Sequence, residues 1–219
     1  FCVAGWDINR NVMIRPEPPA ANAHKEKTKF WNAHFVGDGK VFQIGNLVQF
    51  KAKDAPADFA FPHATEDKII ADLQTLKICN HLTDAELLKT VKGSVSKDVR
   101  SAFNGNLHVP ISGKAYVDAG QKSPSLGAVE LNARKIQFIS WSYEDEPPKL
   151  RCRFKCNSEP YNLSVTAESC RVAFQEHGVV ELNKKAANCR KIHVRLGLAR
   201  AFGDPPRCYL QVNGVYFQA

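Results

Sequence analysis

The sequence lacks the features that mark membrane and secreted proteins. No apolar run approaches the roughly 18 residues that a membrane-spanning helix requires. The opening segment FCVAGWDI is too short for a secretory signal and has no basic region ahead of it. We therefore expect no membrane partner and a cytoplasmic location. Because the chain begins at Phe1 rather than Met, we also expect a few residues to be missing from its start.

Cysteine pairs of the kind that hold zinc are absent as well. The seven cysteines form an odd, scattered set without any C-x-x-C, whereas small secreted domains carry a dense, even framework. We interpret them as reduced thiols. The alternative is a zinc site held by Cys152, Cys156, Cys170 and Cys189, but no histidine lies at ligand spacing from them. We predict neither a metal nor a cofactor.

Motifs of the common nucleotide-dependent and hydrolytic enzymes are also missing. The chain has no Walker A segment, no G-x-G-x-x-G, no G-x-S-x-G and no H-E-x-x-H. The segment PHATED comes nearest to a catalytic cluster, because His63, Thr65, Glu66 and Asp67 could supply an acid–base pair or half a metal site. We prefer a structural interpretation in which Thr65 caps a helix with two acids in its first turn. No enzymatic activity is predicted.

Basic residues are present in excess, and most of that excess lies late in the chain. Residues 131–219 contain 14 Lys and Arg against 8 Asp and Glu, whereas residues 1–130 contain 16 against 14. The later part also holds eight of the eleven arginines, and Arg binds phosphate in a bidentate manner and stacks on bases. This asymmetry indicates a polyanionic partner, with a merely solvated basic face as the alternative.

Periodicity and turn residues predict a mainly β fold with a helical insertion (α+β), arranged as two tandem small OB-like β-barrels. Helical patterns fall at about 65–103 and include a capping box at 83–86. After residue 130, five short strands separated by turns are typical of a small sandwich or barrel, and an OB-type barrel has five. We predict a first barrel over 1–130, which carries the insertion, and a second, basic barrel over 131–219.

Three of the later strands repeat one alternating design. Apolar side chains fall on one face, while cations, rings and amides fall on the other. The residues predicted to face outward and contact nucleic acid are Arg151, Arg153, Lys155, Lys191, His193, Arg195, Arg207 and Tyr209. Rings interleaved with cations suit single-stranded nucleic acid, because each base stacked on a ring contributes about 1–3 kcal/mol while Arg and Lys follow the phosphates.

A few residues elsewhere extend this predicted contact set. Trp31 is the aromatic residue of the first half for which ligand contact is most expected, since it has basic residues nearby. Arg10 and Arg15 flank the first hairpin and are predicted to face solvent, with phosphate contact as the second interpretation. Trp141 and Tyr143 share a strand face, where they either stack on bases or pack beneath the Pro-Pro turn that follows.

Several segments together resemble the dual OB-containing domain family of prokaryotes. They are CVAGWD with IRP near the start, PHATED, KLRCRF followed by YNLSVTAESC, and IHVRLGLARAF followed by CYLQVNGVYF. The resemblance rests on their order and spans nearly the whole chain, apart from the loops at 17–40 and 100–130. It implies two OB-type barrels in tandem, a nucleic-acid-binding role, and occurrence in bacterial defence or nucleic-acid processing.

The leading functional hypothesis is a non-catalytic module that binds single-stranded DNA or RNA through the basic and aromatic strand face, in a prokaryotic defence or repair system. One alternative is a protein-interaction adaptor whose basic face docks an acidic partner within a multi-protein complex. The other is an enzyme centred on His63.

Overall fold

The computed structural model describes residues 1–19, 30–54, 61–143 and 146–218. Contacts between Cα atoms divide the chain into two compact units. Unit 1 comprises residues 1–60 and 64–94, and unit 2 comprises residues 61–63 and 95–219. Both are built mainly from strands, so the predicted β character of the fold is confirmed.

Unit 1 contains six short strands and one helix among its described residues. The elements are β1 (Gly5–Asp7), β2 (Val12–Glu17), β3 (Asn46–Gln49), β4 (Ala52–Asp54), β5 (Asp67–Ile70), β6 (Lys77–His81) and α1 (Asp84–Thr90). One sheet has the order β1-β2-β5-β4, and β3 pairs with β6. The predicted hairpin is β1-β2, and the predicted capping box at the start of α1 is confirmed, because Thr83 and Glu86 bond to each other's backbone N–H groups.

The helix predicted to begin after Thr65 is wrong. Residues 63–65 form a single 3-10 turn, and the chain then extends as β5. This strand lies between β2 and β4, with Arg15 opposite Asp67 in the parallel pairing to β2. Backbone hydrogen bonds to both neighbours therefore override the helical spacing of the apolar residues, because local propensity is a weak determinant beside tertiary pairing.

Unit 2 is dominated by one large sheet. Its elements are β7 (Val95–Ser96), α2 (Val99–Ala102), β8 (Tyr116–Asp118), β9 (Leu126–Asn132), β10 (Ile136–Trp141), β11 (Lys149–Cys156), β12 (Glu159–Val165), α3 (Glu168–Ala187), β13 (Lys191–Leu198) and β14 (Arg207–Gln218). The strand order is β10-β11-β12-β14-β13-β9-β7, and β8 also pairs with β14. All five strands predicted after residue 130 are present.

The two compact units do not follow the predicted division near residue 130. Strands β7 and β8 precede that point in the chain and β9 crosses it, yet β9 pairs with β13, β7 pairs with β9, and β8 pairs with β14. The main segment of unit 2 therefore begins at Val95, because its sheet includes strands from both sides of residue 130.

Helix α3 was not predicted. Its amphipathic signal is sparse, since Cys170, Leu182 and Ala186 are its buried residues, and the helix is interrupted at Gly178, whose φ of 71° favours glycine. The Asn183 amide ties α3 to β10, because it both donates to and accepts from the backbone of Phe138 at 2.9 Å. None of the helices within the described ranges is long and apolar enough to cross a membrane.

Candidate nucleic-acid interface

The cations of β11 lie on the outer face of the unit 2 sheet. Cys152 and Phe154 point into the core, while Arg153 and Lys155 are exposed. This agrees with the alternation read from the sequence. Both cations therefore reach solvent from a well-ordered strand that pairs along its length with β10 and β12.

Arg151, the third cation of this row, is held in place by its neighbours on β12. Its Nε donates to Asn162 Oδ1 at 2.8 Å, its Nη1 donates to Ser164 Oγ at 3.2 Å, and its Nη2 donates to the Asn162 carbonyl. Burial, followed by the charge of Arg153, lowers the pKa of Arg151. Arg151 is thus a half-buried, oriented cation beside two exposed ones.

The same outer face continues from β11 to β14. Arg151 lies opposite Ser164 on β12, and Ser164 lies opposite Gln211 on β14. Tyr209 and Arg207 precede Gln211 at two-residue steps and therefore point to the same face. Because neighbouring strands lie about 4.8 Å apart, the backbones of Arg151 and Gln211, which are two strands apart, are about 10 Å from each other.

Aromatic rings form a series across the strands at this end of unit 2. His108 forms a two-way backbone bridge with Tyr116, which lies opposite Tyr209. The His108 and Tyr116 rings stack at 5.1 Å with 17° between their planes, and the Tyr116 and Tyr209 centroids are 5.8 Å apart. Phe202, 60% exposed, lies 5.0 Å from Tyr209. We call His108, Tyr116, Tyr209 and Phe202 the ring ladder.

Arg207 adds a cation to the ring ladder. Its guanidinium carbon lies 4.3 Å from the centre of the Tyr116 ring, a cation–π arrangement. Asp118, opposite Arg207 in the register, lies 3.9 Å from Arg207 Nε and 3.3 Å from His108 Nε2. One cation, Arg207, and one carboxylate, Asp118, therefore lie next to the stacking surfaces of the ring ladder.

A second aromatic pair lies at the β10 edge of the same sheet. Trp141 and Tyr143 are exposed, and their rings stack with centroids 6.2 Å apart and 24° between their planes. Trp141 lies opposite Lys149 on β11. The row of β11 cations is thus flanked by rings on both sides.

The prediction that β13 presents an outward row of cations is wrong. His193 is 1% exposed, and its cross-strand neighbours are Tyr216 and Glu130. Burial, together with the charge of Arg195, lowers the pKa of His193 to about 4, so its ring is neutral at pH 7. A buried neutral ring cannot contact a ligand on this surface.

The two cations that flank His193 are also engaged. Lys191 Nζ donates to Glu130 at 3.0 Å, and this hydrogen bond is the main cause of the lowered pKa of Glu130. Arg195 is half-buried, and its Cβ and Cγ lie 3.2 and 3.1 Å from the position that a Cβ at Gly214 would occupy. Burial lowers the pKa of Arg195. Of the predicted β13 contacts, His193 and Arg195 are therefore structural residues, whereas Lys191 is exposed beside Glu130.

Two of the three contact residues predicted in unit 1 are buried. Trp31 is 3% exposed, packs against Phe35 and Phe42, and donates from Nε1 to the Pro16 carbonyl at 2.8 Å. Arg15 is also buried and does not face solvent as predicted. Its Nη1 lies 2.6 Å from Asp67 Oδ1.

Arg10, the third of these residues, is exposed as predicted and lies 3.9 Å from Asp7. Of the two cations predicted in the described part of unit 1, Arg10 can therefore contact a ligand directly and Arg15 cannot.

The sequence model of a family described as the dual OB-containing domain matches residues 1–215. The chain belongs to the dual OB-containing domain family. No curated protein and no solved structure matches it significantly.

In this dual OB-containing chain, the PHATED residues are used for structure. His63 is buried, and its Nε2 lies 2.9 Å from the Leu198 carbonyl in unit 2. In unit 1, Asp67 bonds Arg15. Burial disfavours the charged form of Arg15, but the charges of Cys2 and Asp67 outweigh it and raise its pKa. The Arg15 guanidinium therefore keeps its charge beside Asp67 in the interior of unit 1.

The cysteines proposed for zinc are distributed through unit 2. Cys152 and Cys170 are buried, and burial raises the pKa of both thiols, that of Cys170 to about 11. Cys156 and Cys189 are partly exposed. Within the ranges that the structure describes, no three His, Cys, Asp or Glu residues are grouped so as to hold a metal ion.

Three members of the ring ladder were missed by the sequence analysis. His108 and Tyr116 lie in the loop-rich segment between α2 and β9, and Phe202 precedes β14 in a loop. Tyr116 lies on the three-residue strand β8, which is too short to show a clear alternation. Ring contacts between His108, Tyr116 and Tyr209 depend on strand register, which the local sequence does not contain.

Proposed function

We propose that this dual OB-containing protein is a non-catalytic module that binds single-stranded DNA or RNA through the outer face of β11, β12, β14 and β8. The observation that carries the proposal is the ring ladder beside the exposed cations of β11. Together they offer what single-stranded nucleic acid requires, since rings accept unpaired bases and cations follow the phosphates. A duplex keeps its bases stacked inside and has less use for such rings.

The charge arrangement supports a backbone path along β11. Arg153 and Lys155 project from the sheet, while Arg151 is pre-oriented by Asn162 and Ser164. Arg binds phosphate with a planar fork of donors, and holding that fork in place lowers the entropy lost on binding. Phosphates are therefore expected on β11, and bases on the two flanking groups of rings.

Family membership extends the proposal to architecture and setting. The two compact units are taken as the two OB-type barrels of the family, with unit 2 as the basic, ligand-binding one. The protein would act in the cytoplasm of a prokaryote, in a defence or repair system. The buried, hydrogen-bonded state of His63 gives no support to an enzyme centred on that residue.

The test is fluorescence anisotropy with a labelled single strand of about 20 nucleotides, DNA and RNA in parallel, against the matching duplex at several salt concentrations. We expect single strands to bind more tightly than duplex. In the double variant Arg153→Ala/Lys155→Ala, the slope of log K against log salt should shrink by about 1.4, or about 0.7 for each lost phosphate contact.

The matched control is Arg171→Ala/Lys184→Ala, which removes two exposed cations of α3 and should leave the slope unchanged. Equal slopes for the two double variants would contradict the assignment of this face. Undetectable nucleic-acid binding, together with capture of an acidic protein partner that survives about 0.5 M salt, would favour the adaptor alternative instead.

A further inference from the structure

Unit 2 has a cleft next to the ring ladder that the proposed function leaves unused. Its volume is about 470 Å³, and its wall includes His108, Tyr116, Asn106, Gln121 and Arg100. Sites for small ligands usually measure about 300–1,000 Å³ and contain a few convergent polar groups. The cleft is thus large enough for one planar heterocycle.

The wall of the cleft is fixed by Arg100 of α2. The Arg100 guanidinium donates to Glu159 Oε1 at 2.8 Å and to the Leu107 carbonyl at 3.0 Å. The backbone carbonyl of Arg100 accepts a hydrogen bond from Gly105 N at 2.9 Å. These contacts connect α2, β12 and the loop that leads to His108. The Arg100 guanidinium is therefore engaged within the wall and is not free to bind a ligand in a bidentate manner.

Two side-chain amides of the wall keep hydrogen-bonding capacity. The Asn106 amide donates to the Lys122 carbonyl at 3.2 Å, but its Oδ1 accepts no hydrogen bond from the described residues. The Gln121 side chain makes none within those residues. An amide offers a donor and an acceptor side by side, which matches the edge of a nucleobase that carries both.

The charge near the ring ladder does not favour a phosphate on this side of the cleft, because the Asp118 carboxylate offsets the nearby Arg207 cation. Asp118 lies 3.3 Å from His108 Nε2, and its carboxylate repels a phosphate group. The flat face of His108, stacked on Tyr116, instead offers a surface for a neutral ring. A base fits this combination better than a phosphate does.

We propose that the cleft is a nucleobase subsite with a preference for adenine. Asn and Gln pair in a bidentate manner with adenine, whereas Arg pairs with guanine, and here the amides are available while Arg100 is engaged by Glu159 and Leu107. The inference rests on the proposed function, since it adds base selectivity to the same ligand. An adenine in a single strand and one in a free nucleotide present the same edge, and the experiment below separates the two sources.

The first arm uses the four nucleoside 5′-monophosphates as probes and follows the NMR signals of the His108 and Tyr116 rings and the Gln121 side-chain amide. We expect AMP to shift these signals more than GMP, CMP or UMP at equal concentration. Gln121→Ala should weaken AMP binding at least about fivefold. Gln175→Ala, which alters an exposed glutamine of α3, is the matched control and should have no effect.

The second arm measures anisotropy of adenine-only and cytosine-only single strands of about 12 nucleotides. The wild type should prefer the adenine strand, and Gln121→Ala should lose that preference while its salt slope stays unchanged. Equal binding of both strands without selective AMP shifts would overturn the subsite and leave the proposed function standing. Selective AMP shifts without binding of either strand would support the subsite as a free-nucleotide site and overturn the proposed function.

Discussion

Strands β11 and β13 have nearly the same alternating sequence and opposite surroundings. Both place a basic residue at every second position and an apolar residue or cysteine between. On β11 the outer cations Arg153 and Lys155 project into solvent, whereas on β13 His193 is buried and Arg195 is half-buried. Both strands are internal in the same sheet, so position within the sheet does not explain the difference.

The neighbours across the strands explain it. Arg153 and Lys155 of β11 lie opposite Asn162 and Pro160, which are short and leave both cations free to project. On the β14 side of β13, the Tyr216 ring meets His193 edge-on at 5.7 Å. Alternation alone therefore does not decide whether such a side chain is exposed, because that depends on what lies across the strands.

The largest expected effect tests the same contrast in unit 1, where Arg10 and Arg15 lie at the two ends of one hairpin. Arg15→Ala should lower the free energy of unfolding by about 3–5 kcal/mol, because it leaves the buried Asp67 carboxylate without its partner. Arg10→Ala should change it by less than about 0.5 kcal/mol. Urea unfolding followed by tryptophan fluorescence measures both, since Trp31 is buried in unit 1. Similar losses in the two variants would contradict the contrast.

The second prediction concerns acid stability and His193. Its pKa is about 4 in the folded protein but near the ordinary value of about 6.5 after unfolding. Between these values the unfolded chain binds a proton that the folded chain does not, so stability is lost as the pH falls from about 6.5 to 4. We expect this group to account for about 3 kcal/mol of that loss.

The variant His193→Leu should remove this part of the pH dependence, because leucine does not titrate. Urea unfolding at a series of pH values between 7 and 4 compares it with the wild type. Parallel losses of stability over that range would show that His193 is not buried as described.

The smallest effect separates Arg151 from its neighbour Arg153. Arg151→Ala should cost about 1 kcal/mol of stability, because Asn162 and Ser164 lose their partner, and it should also reduce the salt slope of nucleic-acid binding by about 0.7. Arg153→Ala should reduce the slope equally with a stability change below about 0.5 kcal/mol. Equal changes of the unfolding temperature in the two variants would contradict the hydrogen bonding of Arg151 to Asn162 and Ser164.

The sequence predicted the strands of unit 2 well because their apolar faces are regular. Phe154 and Val194 lie inside as the alternation requires, and the apolar positions of β14 do the same. The prediction failed where tertiary partners decide the outcome. Thr65 precedes a strand rather than a helix because β2 and β4 pair with the chain that follows it.

The candidate site was less predictable than the fold. Tyr209 and the β11 cations could be named from alternation alone, but His108 and Tyr116 join Tyr209 only through pairing across three segments of the chain. The burial of His193 depends on a tyrosine 23 positions away in sequence, which lies opposite it. Such contacts have no local pattern and become visible in the folded register.

The amide of Asn183 has a consequence for self-association. Strand β10 is the last strand of its sheet, and an edge strand with free N–H and C=O groups can pair with a strand of another molecule. Asn183 occupies both backbone groups of Phe138 in the middle of that edge. Helix α3 thereby blocks pairing with a further strand at the middle of this edge.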